Sequence, residues 1–303
     1  MTNISLGTIE EIVGSDNLKK DELLSKHTTF KIGGPADIFV QVASVEVLSK
    51  LVKYLYSNNL PFYILGNGSN LLVSDAGFRG VIITLSEDFN DIVVDEDIIT
   101  AGAGATMAKT GMIAYQHELT GFEFASGIPG SIGGGIIMNA GAYGGELKDI
   151  TVSVTAMDYE GNVVTFTNEA MEFSYRNSYL KHKPYIVLEA TFKLSKGNPE
   201  DIKATMDDLA FRRRDKQPLE YPSAGSTFKR PEGYFAGKLI QDSGLSGYTV
   251  GGAQVATKHN GFVINIGNAT CNDVLTLIGD VKAKVLEKFG VELEPEVIVL
   301  GEN

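Results

Sequence analysis

Between Gly127 and Glu146 the chain places eight glycines in twenty residues, with no charged side chain before the final glutamate. Glycine loses more backbone entropy on folding than any other residue, so an ordinary core helix or strand does not take this composition. Such density is tolerated where the main chain adopts positive φ or lies against a large ligand. One reading is a series of tight turns. The other is a backbone cradle whose amide N–H groups face phosphate oxygens. One or two glycines suffice for a turn, so repetition in an apolar setting favours the cradle.

A second loop of similar character lies upstream. Ser44 can cap a helix whose apolar positions Val45, Leu48, Leu51, Val52 and Leu55 recur at helical spacing and stop near Asn58-Asn59, before Pro61. Phe62 to Leu65 then reads as a buried strand running into Gly66-Asn67-Gly68-Ser69-Asn70, where small residues expose main-chain amides. Leu71-Leu72-Val73 is strand-like rather than helical and the third glycine of a dinucleotide fingerprint is absent, which disfavours a Rossmann site. Gly102-Ala103-Gly104 sits between the strand-like Ile98-Ile99-Thr100 and a helical stretch from Thr106 to Glu118, and reads either as a close-packed turn or as a ligand site.

Thr151 to Met157, Val163 to Phe166 and Tyr185 to Leu194 carry strand patterns, predicting a mainly antiparallel sheet within 80–196. Ser195 to Asn198 reads as a linker. Asn198 can cap a helix with Pro199 in its first turn, ending at Arg212-Arg213-Arg214. That cluster either complements the helix macrodipole or clamps a diphosphate. A last helix, roughly Asp273 to Phe289, stops at Gly290 and leads to a terminal strand over Glu294 to Leu300.

The length of 303 residues suits about two domains, and a net charge of −12, from 26 basic and 38 acidic residues, disfavours nucleic acid as a partner. Met1 to Glu22 lacks the basic and apolar regions of a secretory signal, and no run is long enough to span a bilayer, so the expectation is a cytoplasmic protein. Cys271, the single cysteine, is expected as a buried structural thiol. The four histidines, His27, His117, His182 and His259, lack metal-ligand spacing, so no metal is expected.

Taken together, Thr28 to Asp37, Gly66 to Leu71, Gly127 to Gly134, Asn139 to Glu146, Tyr175-Arg176-Asn177-Ser178, Gly225 to Lys229 and Glu294 to Val297 resemble, in order and spacing, the UDP-N-acetylenolpyruvoylglucosamine reductases. These flavoenzymes make UDP-N-acetylmuramate for peptidoglycan and the cell wall. The resemblance implies an α+β fold, with a two-lobed FAD-binding domain of the vanillyl-alcohol-oxidase type and a C-terminal α/β substrate-binding domain. The expected divisions are 1–78, 79–196 and 197–303. By resemblance, Gly66, Asn67, Gly68, Ser69, Asn70 and Leu71, with Gly127, Ile128, Pro129, Gly130, Ser131, Gly133 and Gly134, hold the FAD diphosphate, and Asn139, Gly141 and Ala142 lie near the flavin. The first loop has no histidine for covalent attachment, so FAD is expected to be noncovalent.

The resemblance further implies NADPH as co-substrate and a UDP-sugar as substrate, with no obligate protein partner. Arg176 suits a carboxylate that gains charge as an enolate forms, because its planar fork binds bidentately and stays charged. Glu296 matches the family's catalytic glutamate, and its pKa is expected to rise beside a substrate carboxylate. Ser226 matches the proton donor; Lys229, close in sequence, is a candidate to stabilise its alkoxide. Tyr175, Arg214, Lys229, Arg230 and Lys258 are candidates for holding substrate. The chain departs from the family in having Arg230-Pro231 where many members carry Asn-Pro, and Ser246 where a lysine is common. The short interval from Arg176 to Ser226 matches the family's shorter, second branch. Alternatives are another FAD-dependent oxidoreductase or oxidase on this scaffold, or a non-catalytic flavin sensor.

Overall fold

A computed structural model describes residues 6–302. The reading of the first residues as free of a secretory leader includes 1–5, and the expected third region ends at 303; these positions lie outside the described residues. The chain divides into two compact units drawn from interleaved stretches of sequence. One runs from the N-terminal segment to Lys20 and adds Ile38–Asn67 and Gly80–Arg212; the other gathers Asp21–Asp37, Gly68–Arg79 and the segment from Arg213 on.

In the first unit the helix Val45–Ser57 starts where expected, with the Ser44 hydroxyl accepting from the Val47 amide at 3.4 Å. Leu48, Leu51, Val52 and Leu55 form its buried face against Ile38, Val40, Val42, Val81 and Ile83. Fully burying side chains of this size contributes about 1.5–3 kcal/mol each. The strand Phe62–Leu65 runs parallel to 81–84, pairing Phe62 with Val81 and Leu65 with Thr84. Its carboxyl end delivers Gly66.

The predicted antiparallel sheet is present, ordered Val163–Thr167, Thr151–Asp158, Tyr185–Lys193, Ile98–Gly102 and Ile92–Asp95. Met157, Ile186 and Leu188 from this sheet join the cluster beneath Val45–Ser57, so both layers share a core. Gly102 belongs to a close-packed turn: a Cβ there would stand 2.3 Å from the Phe89 carbonyl oxygen, and the Gly104 amide donates to that oxygen at 2.8 Å. The helix Met107–Gln116, capped by Thr106, follows.

Two expectations for the segment from Ser195 to Lys216 need correction. Ser195 to Asn198 is not a free linker: Ser195 and Lys196 pair with Thr120 and Leu119, and the Gly197 amide donates to the Glu118 carbonyl at 2.9 Å. Composition marks the segment as a connector, but an unpaired backbone edge supplies hydrogen bonds that composition does not register. The next helix runs Pro199–Lys216, beyond Arg214, with the Asn198 side chain accepting from the Glu200 amide at 2.8 Å.

In the second unit an antiparallel sheet is ordered Ser223–Ser226, Phe262–Asn265, Ala253–Val255 and Thr249–Val250. The helix Cys271–Phe289 buries Val274, Leu277, Ile278, Val281 and Val285 in a core shared with Phe30, Leu72, Val255 and Val263. Its start is fixed twice. Thr270 and Asp273 form a capping box, and the Asp75 carboxylate accepts from the amides of Cys271 and Asn272 at 2.8 and 3.1 Å. Cys271 is buried, as expected, and Gly290 at φ 67° ends the helix. The terminal strand is shorter than predicted: Ile298–Leu300 pairs in parallel with Leu71–Val73. Among the described residues no helix is long and apolar enough to cross a membrane.

Candidate active site

In the first unit the two glycine-rich motifs meet. Ser131 caps the short helix Ile132–Ile137, its hydroxyl accepting from the Gly134 amide at 3.3 Å. A Cβ built on Gly66 would stand 2.5 Å from that hydroxyl oxygen. Close packing is one cause of the glycine density, where sequence reasoning favoured a ligand cradle. Gly133 donates to the Ala103 carbonyl at 2.9 Å, and a Cβ on it would lie 3.0 Å from the Ala103 Cβ. Gly135 and Gly145 leave room for Leu147 with Met107 and for the Phe124 ring, respectively. The amides of Ile132, Gly133, Gly134 and Gly135 all have acceptors inside the protein. Close packing therefore explains part of the run that composition assigned to a ligand.

The same unit joins Arg176 to this run. Gly141-Ala142 pairs with Gly145-Glu146 in a short hairpin, and the Arg176 guanidinium donates to the Gly141 carbonyl at 3.2 Å. Tyr175 lies beneath the guanidinium, 5.0 Å from its central carbon to the ring centroid. Asn139, fully buried, donates to the Glu146 carboxylate and the Ser174 carbonyl, both at 3.0 Å, and accepts from the Lys148 amide at 3.0 Å. Its side chain thus braces the hairpin against the turn that carries Arg176.

In the second unit three motifs distant in sequence converge. Ser226 pairs with Phe262 at the end of an irregular ladder, after Gly225 at φ 74°. The next residues, Thr227 to Lys229, run beside Glu294 to Glu296: Lys229 donates to the Glu294 carbonyl and Glu296 to the Thr227 carbonyl, each at 2.8 Å. Asn70, from the first glycine loop, donates through its side chain to the Glu296 carbonyl at 3.1 Å and accepts from the Ile298 amide at 2.9 Å. Thr29 donates to the Ser223 carbonyl at 2.7 Å, and its amide to the Gly68 carbonyl at 3.2 Å. The organising residue is Thr227, buried, with its hydroxyl accepting from Val263 at 2.9 Å. Sequence reasoning passed over it because a threonine beside a candidate serine carries no signal of its own.

Lys229, Arg230 and Lys258 have identifiable partners. Lys229 forms an ion pair with Glu294. Arg230 stacks on Phe235 at 4.0 Å and donates to the Tyr234 carbonyl at 3.4 Å. Lys258 donates to the Arg214 carbonyl at 2.7 Å, a cation at a helix C-terminus. Within the arginine cluster, Arg212 pairs with Asp208 at 2.8 Å. Ser246, which stands where a lysine was expected, accepts from Asn260 at 3.1 Å. His259, unmarked by its sequence context, packs edge-on against Phe262 at 4.8 Å, and its Nδ1 accepts from the Gly261 amide at 3.2 Å. Burial holds its imidazole below the ordinary pKa.

These surroundings fit FAD. Gly66, Asn67 and Gly127 to Ser131 carry no carboxylate to repel a diphosphate, and Gly66 is placed where a side chain would strike Ser131. Gly68, at φ 59°, lies so close to His27 that a Cβ would come within 2.2 Å of its carbonyl oxygen. Bare main chain is thus required at both positions.

Residues 36–167 match the family described as FAD binding domain. Phl p 4.0202, a glucose dehydrogenase, has a TM-score of 0.52 at 12% identity, covering 64% of this chain and 44% of its own, a likeness of fold alone. Fold and site define the class: an α+β flavoprotein with a two-lobed FAD-binding domain of the vanillyl-alcohol-oxidase type and a C-terminal substrate-binding domain. Residues 217–300 match the family described as UDP-N-acetylenolpyruvoylglucosamine reductase, C-terminal domain. The UDP-N-acetylenolpyruvoylglucosamine reductase of Caldanaerobacter subterraneus subsp. tengcongensis is 52% identical over 303 residues, covering 100% of both chains. The crystal structure of the UDP-N-acetylenolpyruvylglucosamine reductase from Thermus caldophilus has a TM-score of 0.80 at 34% identity, over 93% of this chain and 99% of its own. The chain belongs to the UDP-N-acetylenolpyruvoylglucosamine reductase family, and is an FAD-dependent oxidoreductase.

Proposed function

We propose that this protein reduces the enolpyruvyl group of UDP-N-acetylglucosamine enolpyruvate to the lactyl ether of UDP-N-acetylmuramate, with NADPH as reductant. The observation that carries the reading, beyond family membership, is the bond from the Glu296 amide to the Thr227 carbonyl, which sets the Ser226 and Glu296 motifs on neighbouring segments. FAD, when bound, supplies the hydride that NADPH has delivered to it. In the first unit Gly66, Asn67 and Gly127 to Ser131 would hold its diphosphate noncovalently, and in the second unit Gly68 to Leu71 would continue the same loop.

The substrate carboxylate is a poor electron sink, because hydride addition at the methylene carbon leaves an electron pair on the α-carbon that must spread onto carboxylate oxygens. In our reading Arg176 binds those oxygens and stabilises the added charge. Glu296, held neutral beside a carboxylate, donates a hydrogen bond to it. Ser226 then gives its proton to the α-carbon, completing a methyl group and a C–H bond. Tyr175, Arg214, Lys229, Arg230 and Lys258 are the proposed contacts to the rest of the UDP-sugar. Nucleotide sugar and NADPH both point to the cytoplasm as the compartment.

Anaerobic stopped-flow spectroscopy tests this directly. The flavin band should bleach with NADPH and recover rapidly on addition of UDP-N-acetylglucosamine enolpyruvate. Ser226→Ala should slow only the recovery, by about 100-fold or more, the scale of a lost general acid. Bleaching that only oxygen reverses would replace this substrate with an oxidase reaction.

A further inference from the structure

Arg176 sits at φ 55°, in the left-handed region that a side-chain-bearing residue occupies only when its neighbours hold it there. Those neighbours are identifiable. Ser174 and Asn177 exchange two backbone hydrogen bonds, both at 3.1 Å, closing a tight turn at Tyr175-Arg176. Asn139 holds the Ser174 carbonyl from one side. From the other side Lys181, in the short helix Tyr179–His182, reaches back, and its half-buried ammonium donates to the Arg176 carbonyl at 2.9 Å. That short helix is itself anchored to the glycine run, since the Ser178 hydroxyl donates to the Ile137 carbonyl at 2.9 Å. Arg176 is therefore gripped at both ends, its guanidinium by Gly141 and its main-chain carbonyl by Lys181.

We infer that Lys181 is a positioning residue for Arg176: its ammonium holds the Arg176 carbonyl, which keeps the left-handed turn and sets the guanidinium against Gly141. The functional consequence rests on the reading of Arg176 as the ligand of the substrate carboxylate. A charge-assisted bond to a carbonyl is stronger and shorter than a neutral one, so an uncharged side chain of equal length holds the turn less tightly. Lys181 is assigned no contact with substrate or flavin; its proposed role is exerted through Arg176.

Lys181→Met keeps the stem and removes the ammonium, while Lys181→Arg restores a cation of similar reach. In the flavin-loaded protein, Lys181→Met should leave flavin reduction by NADPH within about twofold of the parent. It should slow reoxidation by UDP-N-acetylglucosamine enolpyruvate by about tenfold or more, since a group misplaced by about 1 Å loses rate on that scale. Lys181→Arg should recover most of that loss. Unchanged reoxidation in Lys181→Met overturns the inference, as does equal slowing of both phases with no recovery in Lys181→Arg. A crystal structure of Lys181→Met provides a readout independent of substrate. An Arg176 guanidinium displaced from the Gly141 carbonyl is expected; retention of that bond and of the left-handed φ overturns the inference. Should the parent's own reduced flavin fail to react with this substrate, the functional reading falls while the crystallographic result still decides the role of Lys181.

Discussion

The Thr227 hydroxyl accepts from the Val263 amide while the Thr227 amide donates to Gly261 and its carbonyl accepts from Glu296, so one buried residue ties three segments. Replacing it with valine keeps the shape and leaves the Val263 amide without its acceptor. A buried donor left unsatisfied costs about 1–3 kcal/mol, which urea unfolding of Thr227→Val should show, with Thr227→Ser losing less. His259 gives a pH-dependent counterpart. Burial lowers its folded pKa, so the unfolded chain binds the proton more readily. The stability this residue permits is thus present above the ordinary imidazole value of about 6.5 and is lost as pH falls below it. The thermal midpoint of the parent should decline more steeply than that of His259→Gln between about pH 7.5 and 5, and parallel curves would count against the assignment. Legibility at this scale followed motif resemblance: Arg176, Ser226 and Glu296 stand out only because their motifs resemble the family's, since Ser226 alone reads as a turn hydroxyl and Glu296 as a solvated carboxylate, whereas Thr227, Lys181 and His259 act through contacts that no residue type announces.

Elements were easier to read where capping and periodicity agreed. The helix Val45–Ser57 carries Ser44 at its start, and the Cys271–Phe289 helix shows its apolar face and terminal glycine in sequence. The external cap from Asp75 did not show, because it comes from a separate stretch of chain. Asp75→Ala should cost about 0.5–2 kcal/mol, the range for a lost N-terminal cap, measured as a lower unfolding midpoint. The Gly102 turn tests the difference between packing glycines and ligand glycines. A Cβ there would meet backbone of Phe89 rather than a mobile side chain, so Gly102→Ala should lower thermal stability while the folded fraction keeps its FAD affinity. Loss of FAD affinity at unchanged stability would return Gly102 to the ligand site. The Ser195–Lys196 pairing was illegible for a related reason: two polar residues have no periodicity to read.

At the scale of the molecule, FAD that binds only the folded chain must stabilise it by mass action, by about 2.7 kcal/mol when free FAD exceeds its Kd about 100-fold. The unfolding midpoint should therefore rise with added FAD, and a midpoint indifferent to FAD would contradict cofactor binding by the native state. The sequence by itself determined most element types, the two glycine loops and the family, because these reside in local propensity, composition and motif order. Only the tertiary structure decided that 21–37 and 68–79 pack with the C-terminal segment, that Glu296 lies beside Thr227, and that Arg176 leans on Gly141. Those pairings join residues far apart along the chain. Their free energy comes from burial and hydrogen bonds formed after the chain has closed large loops, and local sequence carries no record of which partner closes them.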